Sequence, residues 1–185
     1  MKRLFIGIPI ESEMAVQVAE TWRNDLMLNQ NRLNWTKPET WHITLFFLGD
    51  TPDEKIDLLQ QLIGESFNAI KAFSTQLNGV GVFPDSCNPR VLWLGLETLQ
   101  PLMSAHIKLG DLLRQNRFSF DDKPLKPHLT LARIKSQENR DSFKSLLNQY
   151  SQFNFGKVAI NRVVLFESIL TSQGPVYKPL FVGEL

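Results

Sequence analysis

The stretch Trp41-His-Ile-Thr-Leu-Phe46 returns almost unchanged later in the chain as Pro127-His-Leu-Thr-Leu-Ala132. Both copies follow the pattern histidine, apolar residue, threonine, apolar residue. In an extended strand successive side chains point to opposite faces, so the histidine and threonine of each copy share one face. At ~3.3 Å of rise per residue, they lie roughly 7 Å apart along the strand. If the two strands lie side by side, two imidazoles and two hydroxyls converge on one cleft.

The elements around the two copies also repeat. In each half the pattern predicts strand, helix, histidine strand, helix and strand, in that order. The first strands begin at Leu4 and Val91, 87 positions apart (91 − 4 = 87), and the histidines His42 and His128 are 86 positions apart (128 − 42 = 86). The sequence therefore predicts an α+β fold built by duplication. Each lobe is expected to be an antiparallel sheet with helices packed outside, and pseudo-two-fold symmetry relates the lobes around a central cleft.

The predicted domain organisation is one bilobal domain over residues 1–185. The first half covers about 1–82 and the second about 91–185, joined by a loop at Phe83–Arg90, which contains two prolines. The local patterns further predict several elements in order: a helix capped by Ser12, a polar loop at Asn29–Lys37, a helix opened by a capping box at Thr51-Pro-Asp-Glu54, one long strand at Val158–Phe166 and a tail from Thr171.

Composition bounds the class of protein. The chain has 185 residues, 43% hydrophobic and 21% charged, the balance of an ordinary soluble globular protein. The formal net charge of +1 argues against a strong, sequence-blind binder of duplex nucleic acid. The one cysteine, Cys87, rules out an internal disulfide and fits a reducing cytoplasm.

The N-terminal apolar run is expected to be a buried first strand. Pro9 breaks the run and Glu11 stops it, so it is too short for a signal peptide. No segment approaches the roughly 18 apolar residues of a membrane span. We therefore expect a soluble, cytoplasmic protein that does not bind membranes. We also expect it to be a monomer.

The two histidines point to acid–base chemistry. Imidazole is the side chain whose unperturbed pKa, ~6.5, lets neutral and charged forms coexist near neutrality. One of His42 and His128 can accept a proton while the other donates one. That division suits displacement at phosphorus, where a nucleophile loses a proton and a leaving oxygen gains one. Thr44 and Thr130 could donate hydrogen bonds to the non-bridging oxygens.

A metal site is the competing interpretation. A catalytic zinc usually has three protein ligands, and neither histidine strand carries a cysteine or carboxylate at a usual ligand spacing. The third histidine, His106, is expected to be a helix residue at the edge of the core. The sequence thus predicts no metal and no other cofactor.

Several stretches together resemble the paired motifs of the two-histidine (2H) phosphoesterases. Within that superfamily, the chain is similar to the RNA 2′,3′-cyclic phosphodiesterases, once named 2′-5′ RNA ligases. The likeness runs from Leu4 to about Leu180 and rests on these residues: Trp35-Thr-Lys-Pro38, His42-Ile-Thr-Leu-Phe-Phe-Leu-Gly49, Phe83-Pro84, Pro89-Arg-Val-Leu-Trp-Leu-Gly95, Lys126-Pro-His128-Leu-Thr-Leu-Ala-Arg133, Leu165-Phe-Glu-Ser168 and Gly174-Pro-Val-Tyr177.

The resemblance implies a two-lobed fold with a central cleft and a metal-free site that opens a 2′,3′-cyclic phosphate at an RNA end to a 2′-phosphomonoester. It implies that His42 donates a proton to the leaving 3′ oxygen and that His128 is the base that activates water. The residues alone do not distinguish these two roles. Thr44 and Thr130 would hold the phosphoryl oxygens, and the substrates would be RNA 3′ ends or small nucleotides.

The remaining binding candidates each have an alternative role. The resemblance implies that Arg133 helps bind phosphate, but simple alternation from His128 turns Arg133 away from the cleft unless the strand bulges or ends before it. An ordinary salt-bridging arginine is the alternative. Three aromatic residues are candidates for base stacking, with core packing as the alternative role: Phe46, Phe83 and Trp93. Three lysines could bind the RNA backbone, with a solvated loop position as the alternative: Lys37, Lys123 and Lys126.

Two further hypotheses use the same residues differently. The site could act on 2′-5′ linkages or small cyclic nucleotides, including ligation, since the chemistry is reversible. Alternatively, the chain could be a non-catalytic module that binds RNA ends. Intact histidine and threonine in both copies argue against the second hypothesis, because binding alone needs no pair of titratable groups.

Overall fold

A computed structural model describes residues 1–25, 32–97, 99–136, 140–172 and 174–185. Within these ranges the chain forms nine strands and four α-helices. Single 3₁₀ turns lie at Pro38–Thr40 and Asp53–Lys55. The elements in chain order are β1 Lys2–Pro9, α1 Glu13–Arg23, β2 Arg32–Trp35, β3 His42–Thr51, α2 Ile56–Phe67, β4 Phe73–Phe83, β5 Val91–Leu96, α3 Gln100–Gln115, β6 His128–Ser136, α4 Arg140–Tyr150, β7 Asn154–Ile160, β8 Arg162–Thr171 and β9 Gly174–Glu184.

The strands form two antiparallel sheets, which confirms the predicted α+β fold with two lobes. One sheet has the order β3-β1-β8-β9 and the other β2-β6-β5-β4-β7. Each sheet takes strands from both halves of the sequence, because β4 pairs with β5 and β8 pairs with β1. The lobes therefore exchange strands, and neither lobe is a single sequence half.

The strand pairing places the two histidines at matching positions. His42 on β3 lies opposite Pro9 on β1, and His128 on β6 lies opposite Gly95 on β5. Pro9 and Gly95 are themselves 86 positions apart (95 − 9 = 86), the interval between the two histidines. The duplication read from the sequence thus extends to the register of the sheets.

The helices bury apolar faces against the sheets. The side chain of Ser12 accepts a hydrogen bond from the Ala15 backbone N–H and caps α1, as predicted. The buried residues of α1 and α2 recur at helical spacing and join one continuous core: Ala15, Ala19 and Trp22 on α1, and Leu59, Leu62, Ile63 and Phe67 on α2. In the described part of the chain, no helix combines the length and apolar character needed to cross a bilayer.

Two predictions of irregular structure were wrong. The predicted loop at Asn29–Lys37, of which residues 29–31 lie outside the described ranges, contains β2. This short edge strand pairs with β6, and its half-buried Leu33 and Trp35 alternate with the exposed Arg32 and Asn34. Four alternating residues are too few to separate from a loop by pattern. The predicted tail from Thr171 includes β9, which pairs with β8 along its whole length.

Two boundary predictions were also wrong. The stretch Val158–Phe166 is two strands, β7 and β8, which belong to different sheets and separate at Asn161. The expected capping box at Thr51 does not form, because Thr51 ends β3 and its hydroxyl donates to the Gly49 carbonyl. A 3₁₀ turn at Asp53–Lys55 precedes α2 instead.

Candidate active site

One cavity of about 340 Å³ lies where residues of β2, β3, β6 and β9 meet. It brings together five residues that the sequence singled out: His42, Thr44, His128, Thr130 and Arg133. Histidines from separate sheets thus line a common space, as the repeated motif predicted.

The His42 ring is fixed on three sides. Its Nδ1 lies 2.7 Å from the carbonyl oxygen of Thr40, in the 3₁₀ turn before β3. A carbonyl can only accept, so in the neutral ring Nδ1 carries the proton and Nε2 keeps its lone pair. Phe5 packs on the ring at 4.7 Å between centroids, and Tyr177 meets it edge-on at 5.2 Å. Nε2 is the nitrogen left to react.

The His128 ring is held in the same way. Its Nδ1 lies 2.6 Å from the carbonyl oxygen of Lys126, again two residues earlier. Phe83 meets the ring edge-on with centroids 4.9 Å apart, and Trp93 lies 6.2 Å away. Phe83 and Trp93, candidates for base stacking, pack against the histidine and do not line the cavity.

The surroundings favour the neutral form of both rings. Burial lowers the pKa of His42 from its ordinary value, and the charges of His128 and Arg133 lower it further, against the opposing hydrogen bond to Thr40. Burial also lowers the pKa of His128, against its hydrogen bond to Lys126. His128 and Arg133 thus both influence the pKa of His42 across the cavity.

A β-bulge turns Arg133 into the cavity. Leu92 on β5 lies opposite Ala132 and Trp93 lies opposite Thr130, so Leu131 has no partner on β5. The extra residue shifts the alternation, and Leu131 and Ala132 are both buried. The next residue, Arg133, therefore lines the cavity beside Thr130.

The other histidine strand carries the same bulge. Ile6 on β1 lies opposite Phe46 and Gly7 lies opposite Thr44, which leaves Leu45 without a partner. Leu45 and Phe46 are consequently both buried. The bulge falls at the same position after each histidine, so it belongs to the repeated unit.

Phe46 does not reach the cavity. It is 4% exposed and stacks on the ring of His106 at 4.3 Å, under helix α3. This placement rules out direct contact between Phe46 and a ligand in the cavity. His106 lies at the edge of the core, where Nε2 is 3.4 Å from the Leu45 carbonyl oxygen.

The three candidate lysines differ in position. Lys37 lines the cavity. Lys123 lies outside the lining and pairs with Asp121 at 2.9 Å. The side chain of Lys126 is exposed. Lys126 contributes to the site through its backbone, because its carbonyl oxygen bonds to Nδ1 of His128.

A hydrogen-bonded relay that the sequence reasoning missed links the two histidine strands. The indole N–H of Trp41 donates to the Thr36 hydroxyl over 2.9 Å. That hydroxyl has one proton, which it shares between the carbonyl oxygens of Thr130 and Leu131, each 2.8 Å away. The Thr36 backbone N–H also donates to Leu131 over 2.8 Å. Thr36 thus links the bulge of β6 by hydrogen bonds to Trp41, the residue preceding His42.

Sequence reasoning also missed Tyr177 and Trp35 as lining residues. Tyr177 belonged to a recognised motif, but its strand was taken for a tail. Trp35 also belonged to a recognised motif, but it lay in a predicted loop. Across the described ranges, no three His, Cys, Asp or Glu side chains lie close enough together to hold a metal ion.

Comparison with known proteins gives consistent matches. The family model described as "AKAP7 2′5′ RNA ligase-like domain" matches residues 4–182. The chain is 33% identical to the RNA 2′,3′-cyclic phosphodiesterase of Thermotoga maritima, over 97% of this chain and 93% of that protein. It is 34% identical to the enzyme of the same name from Aquifex aeolicus, over 95% and 93%. The crystal structure of TT0787 of Thermus thermophilus aligns with a TM-score of 0.78 and 28% identity, covering 99% of this chain and 97% of that one.

Proposed function

Because the chain belongs to the 2′5′ RNA ligase-like domain family, we propose that it hydrolyses 2′,3′-cyclic phosphodiester ends of RNA to 2′-phosphomonoesters. The observation that carries the proposal is the matched pair of imidazoles. His42 and His128 each have Nδ1 bound to a backbone carbonyl, and they line one cavity. The names of the relatives from Thermotoga maritima and Aquifex aeolicus support the same substrate class.

Each histidine has one task in the proposed reaction. A water oxygen attacks phosphorus and passes a proton to Nε2 of neutral His128, which acts as general base. As the bond between phosphorus and the 3′ oxygen breaks, protonated His42 delivers its Nε2 proton to that oxygen. One water is consumed, the phosphate stays on the 2′ oxygen, and exchange with solvent restores both protonation states.

The proposed phosphate site also prepares His42 to donate. In the free protein, burial and the charges of His128 and Arg133 keep the pKa of His42 below its ordinary value. A bound cyclic phosphate brings a negative charge, which favours the imidazolium. Thr44, Thr130 and Arg133 would hold the non-bridging oxygens and stabilise the charge that develops there. These side chains cover every step, so we propose that no metal is needed.

Rates on three substrates test this proposal. A short RNA with a 2′,3′-cyclic phosphate, a 2′-5′-linked dinucleotide and a 3′,5′-cyclic nucleotide are each incubated with the protein and EDTA. We expect the cyclic-phosphate RNA to be turned over fastest. Faster reaction of the 2′-5′ dinucleotide would contradict the proposal, and so would tight binding of RNA ends without turnover between pH 5 and 8.

A further inference from the structure

A second cavity adjoins the candidate active site. It has a volume of about 370 Å³ and shares a wall with the first cavity, formed by Thr40, Trp41, His42 and Tyr177. An RNA whose terminal phosphate lies at His42 has two directions in which the rest of the chain can leave. The charges of the two cavities distinguish these directions.

The first cavity is the one that suits a polyanion. Its charged lining residues are Lys37 and Arg133, and no carboxylate is among its described lining residues. The second cavity carries Glu39 and Glu184 together with Arg162. Arg162 is already paired, because its Nη2 lies 2.9 Å from a carboxylate oxygen of Glu11. Phosphodiesters are repelled by the second cavity and attracted by the first.

The two cations of the first cavity have different positions. Arg133 follows the β6 bulge and lines the cavity with Thr130, where the proposed function places the reacting phosphate. Lys37 follows Thr36 in the sequence, lines the cavity and is exposed, without an ion pair in the described part of the chain. Its backbone is nonetheless fixed, because its carbonyl accepts from both the backbone N–H and the hydroxyl of Thr40, at 2.9 and 2.7 Å.

The duplication provides an internal comparison for Lys37. The residue 86 positions later, the interval between the histidines, is Lys123 (123 − 37 = 86). Lys123 is paired with Asp121 at 2.9 Å, and the adjacent Asp122 pairs with Arg114 at 2.6 Å. The positive charge of Lys123 is therefore neutralised by a carboxylate, whereas the positive charge of Lys37 is available to a ligand.

We propose that Lys37 forms a second anion subsite, which binds the phosphodiester immediately 5′ of the terminal nucleotide. The substrate class is then an oligonucleotide of at least two residues, not a cyclic mononucleotide. The RNA chain leaves the site past Lys37, along the edge formed by Asn34 and Trp35, which line the same cavity. This inference rests on the proposed function, because it takes the cyclic phosphate to lie between the histidines.

The test compares a 2′,3′-cyclic mononucleotide with a dinucleotide ending in a 2′,3′-cyclic phosphate. In Lys37→Met, the ratio of kcat/KM for the dinucleotide to that for the mononucleotide falls by about 2- to 5-fold, the size expected for an exposed ion pair. Lys123→Met is the matched control, and its ratio stays at the wild-type value. An unchanged ratio in Lys37→Met, or equal falls in both variants, would overturn the subsite.

Binding of the proposed products separates this inference from the proposed function. Calorimetry with a 2′-phosphorylated dinucleotide needs no turnover. Lys37→Met is expected to weaken that binding, with a slope of log K against log salt shallower by about 0.7, the value for one phosphate contact on a single strand. If this holds while the wild-type protein shows no turnover, the subsite stands and the proposed function fails. If the wild-type protein turns over the substrate but Lys37→Met leaves the salt dependence of binding unchanged, the subsite is contradicted and the proposed function stands.

Discussion

The hydroxyl of Thr36 lies 2.8 Å from the carbonyl oxygen of Thr130, and this contact joins segments 94 residues apart. Trp41, the neighbour of His42, donates to the same hydroxyl. Thr130 follows His128 by two residues on β6. One small side chain therefore ties together the strands that carry the two proposed catalytic groups, and it does so at the bulge that aims Arg133.

Replacing Thr36 by valine should cost both stability and activity. Valine keeps the shape but leaves the Trp41 indole N–H without its acceptor, at a cost of about 1–3 kcal/mol in the free energy of unfolding. We also expect kcat to fall. Thr36→Ser keeps the hydroxyl and should recover most of both losses. Urea denaturation and steady-state kinetics measure these effects, and a valine variant equal to wild type would show that the relay has no function.

Removal of either imidazole should abolish efficient turnover. General acid–base catalysis contributes typically 10²–10⁴-fold per group, so His42→Ala and His128→Ala should each lose about that factor in kcat. The circular dichroism spectrum and the affinity for a 2′-phosphorylated oligonucleotide should stay close to wild type. A near-wild-type rate in either variant would refute the two-histidine assignment.

The dependence of kcat/KM on pH should be bell-shaped, with its optimum at acidic pH. The active form of the free protein has one neutral and one protonated histidine, and it is most populated between the two pKa values. Burial lowers the pKa of both His42 and His128 below their ordinary value of about 6.5. The optimum of kcat/KM should therefore lie below pH 6.5, with a decline as the pH rises and the proton donor is lost. An optimum above pH 7 would contradict these environments.

Arg133 should tune one histidine and not the other. Its charge lowers the pKa of His42, while the pKa of His128 is lowered by burial alone. Arg133→Met should therefore raise the pKa of His42 and leave that of His128 nearly unchanged, and Arg133→Lys should preserve the wild-type value. NMR titration of the imidazole C–H signals measures both groups. Equal shifts at the two histidines would show that Arg133 does not face His42 specifically.

The duplicated motif could be predicted from the sequence because each copy is local. Each histidine, threonine and flanking apolar residue lies within one strand, and the 86-residue interval survives in the pairing of His42 with Pro9 and His128 with Gly95. The exchange of β4 and β8 between the sheets was not readable. Pairing between strands far apart in the chain leaves no periodicity in either strand.

A single local feature accounts for two of the differences at the site. Simple alternation after His42 puts Phe46 in the cleft, and alternation after His128 turns Arg133 away from it. The bulge in each strand reverses both expectations, so Phe46 is buried and Arg133 lines the cavity. Neither histidine strand has a glycine or proline at its bulge, and the donors around the bulges come from distant residues, Thr36 for β6 and His106 for β3. Thr36 belonged to a recognised stretch, Trp35-Thr-Lys-Pro38, but its role depends on hydrogen bonds to residues of β6 far away in the chain.

The most direct test of the proposed reaction is phosphorus NMR of the product from an oligonucleotide ending in a 2′,3′-cyclic phosphate, recorded with and without EDTA. We expect a single 2′-phosphomonoester signal, formed at the same rate with and without the chelator. A 3′-phosphomonoester product, or activity lost to EDTA and restored by zinc, would contradict it.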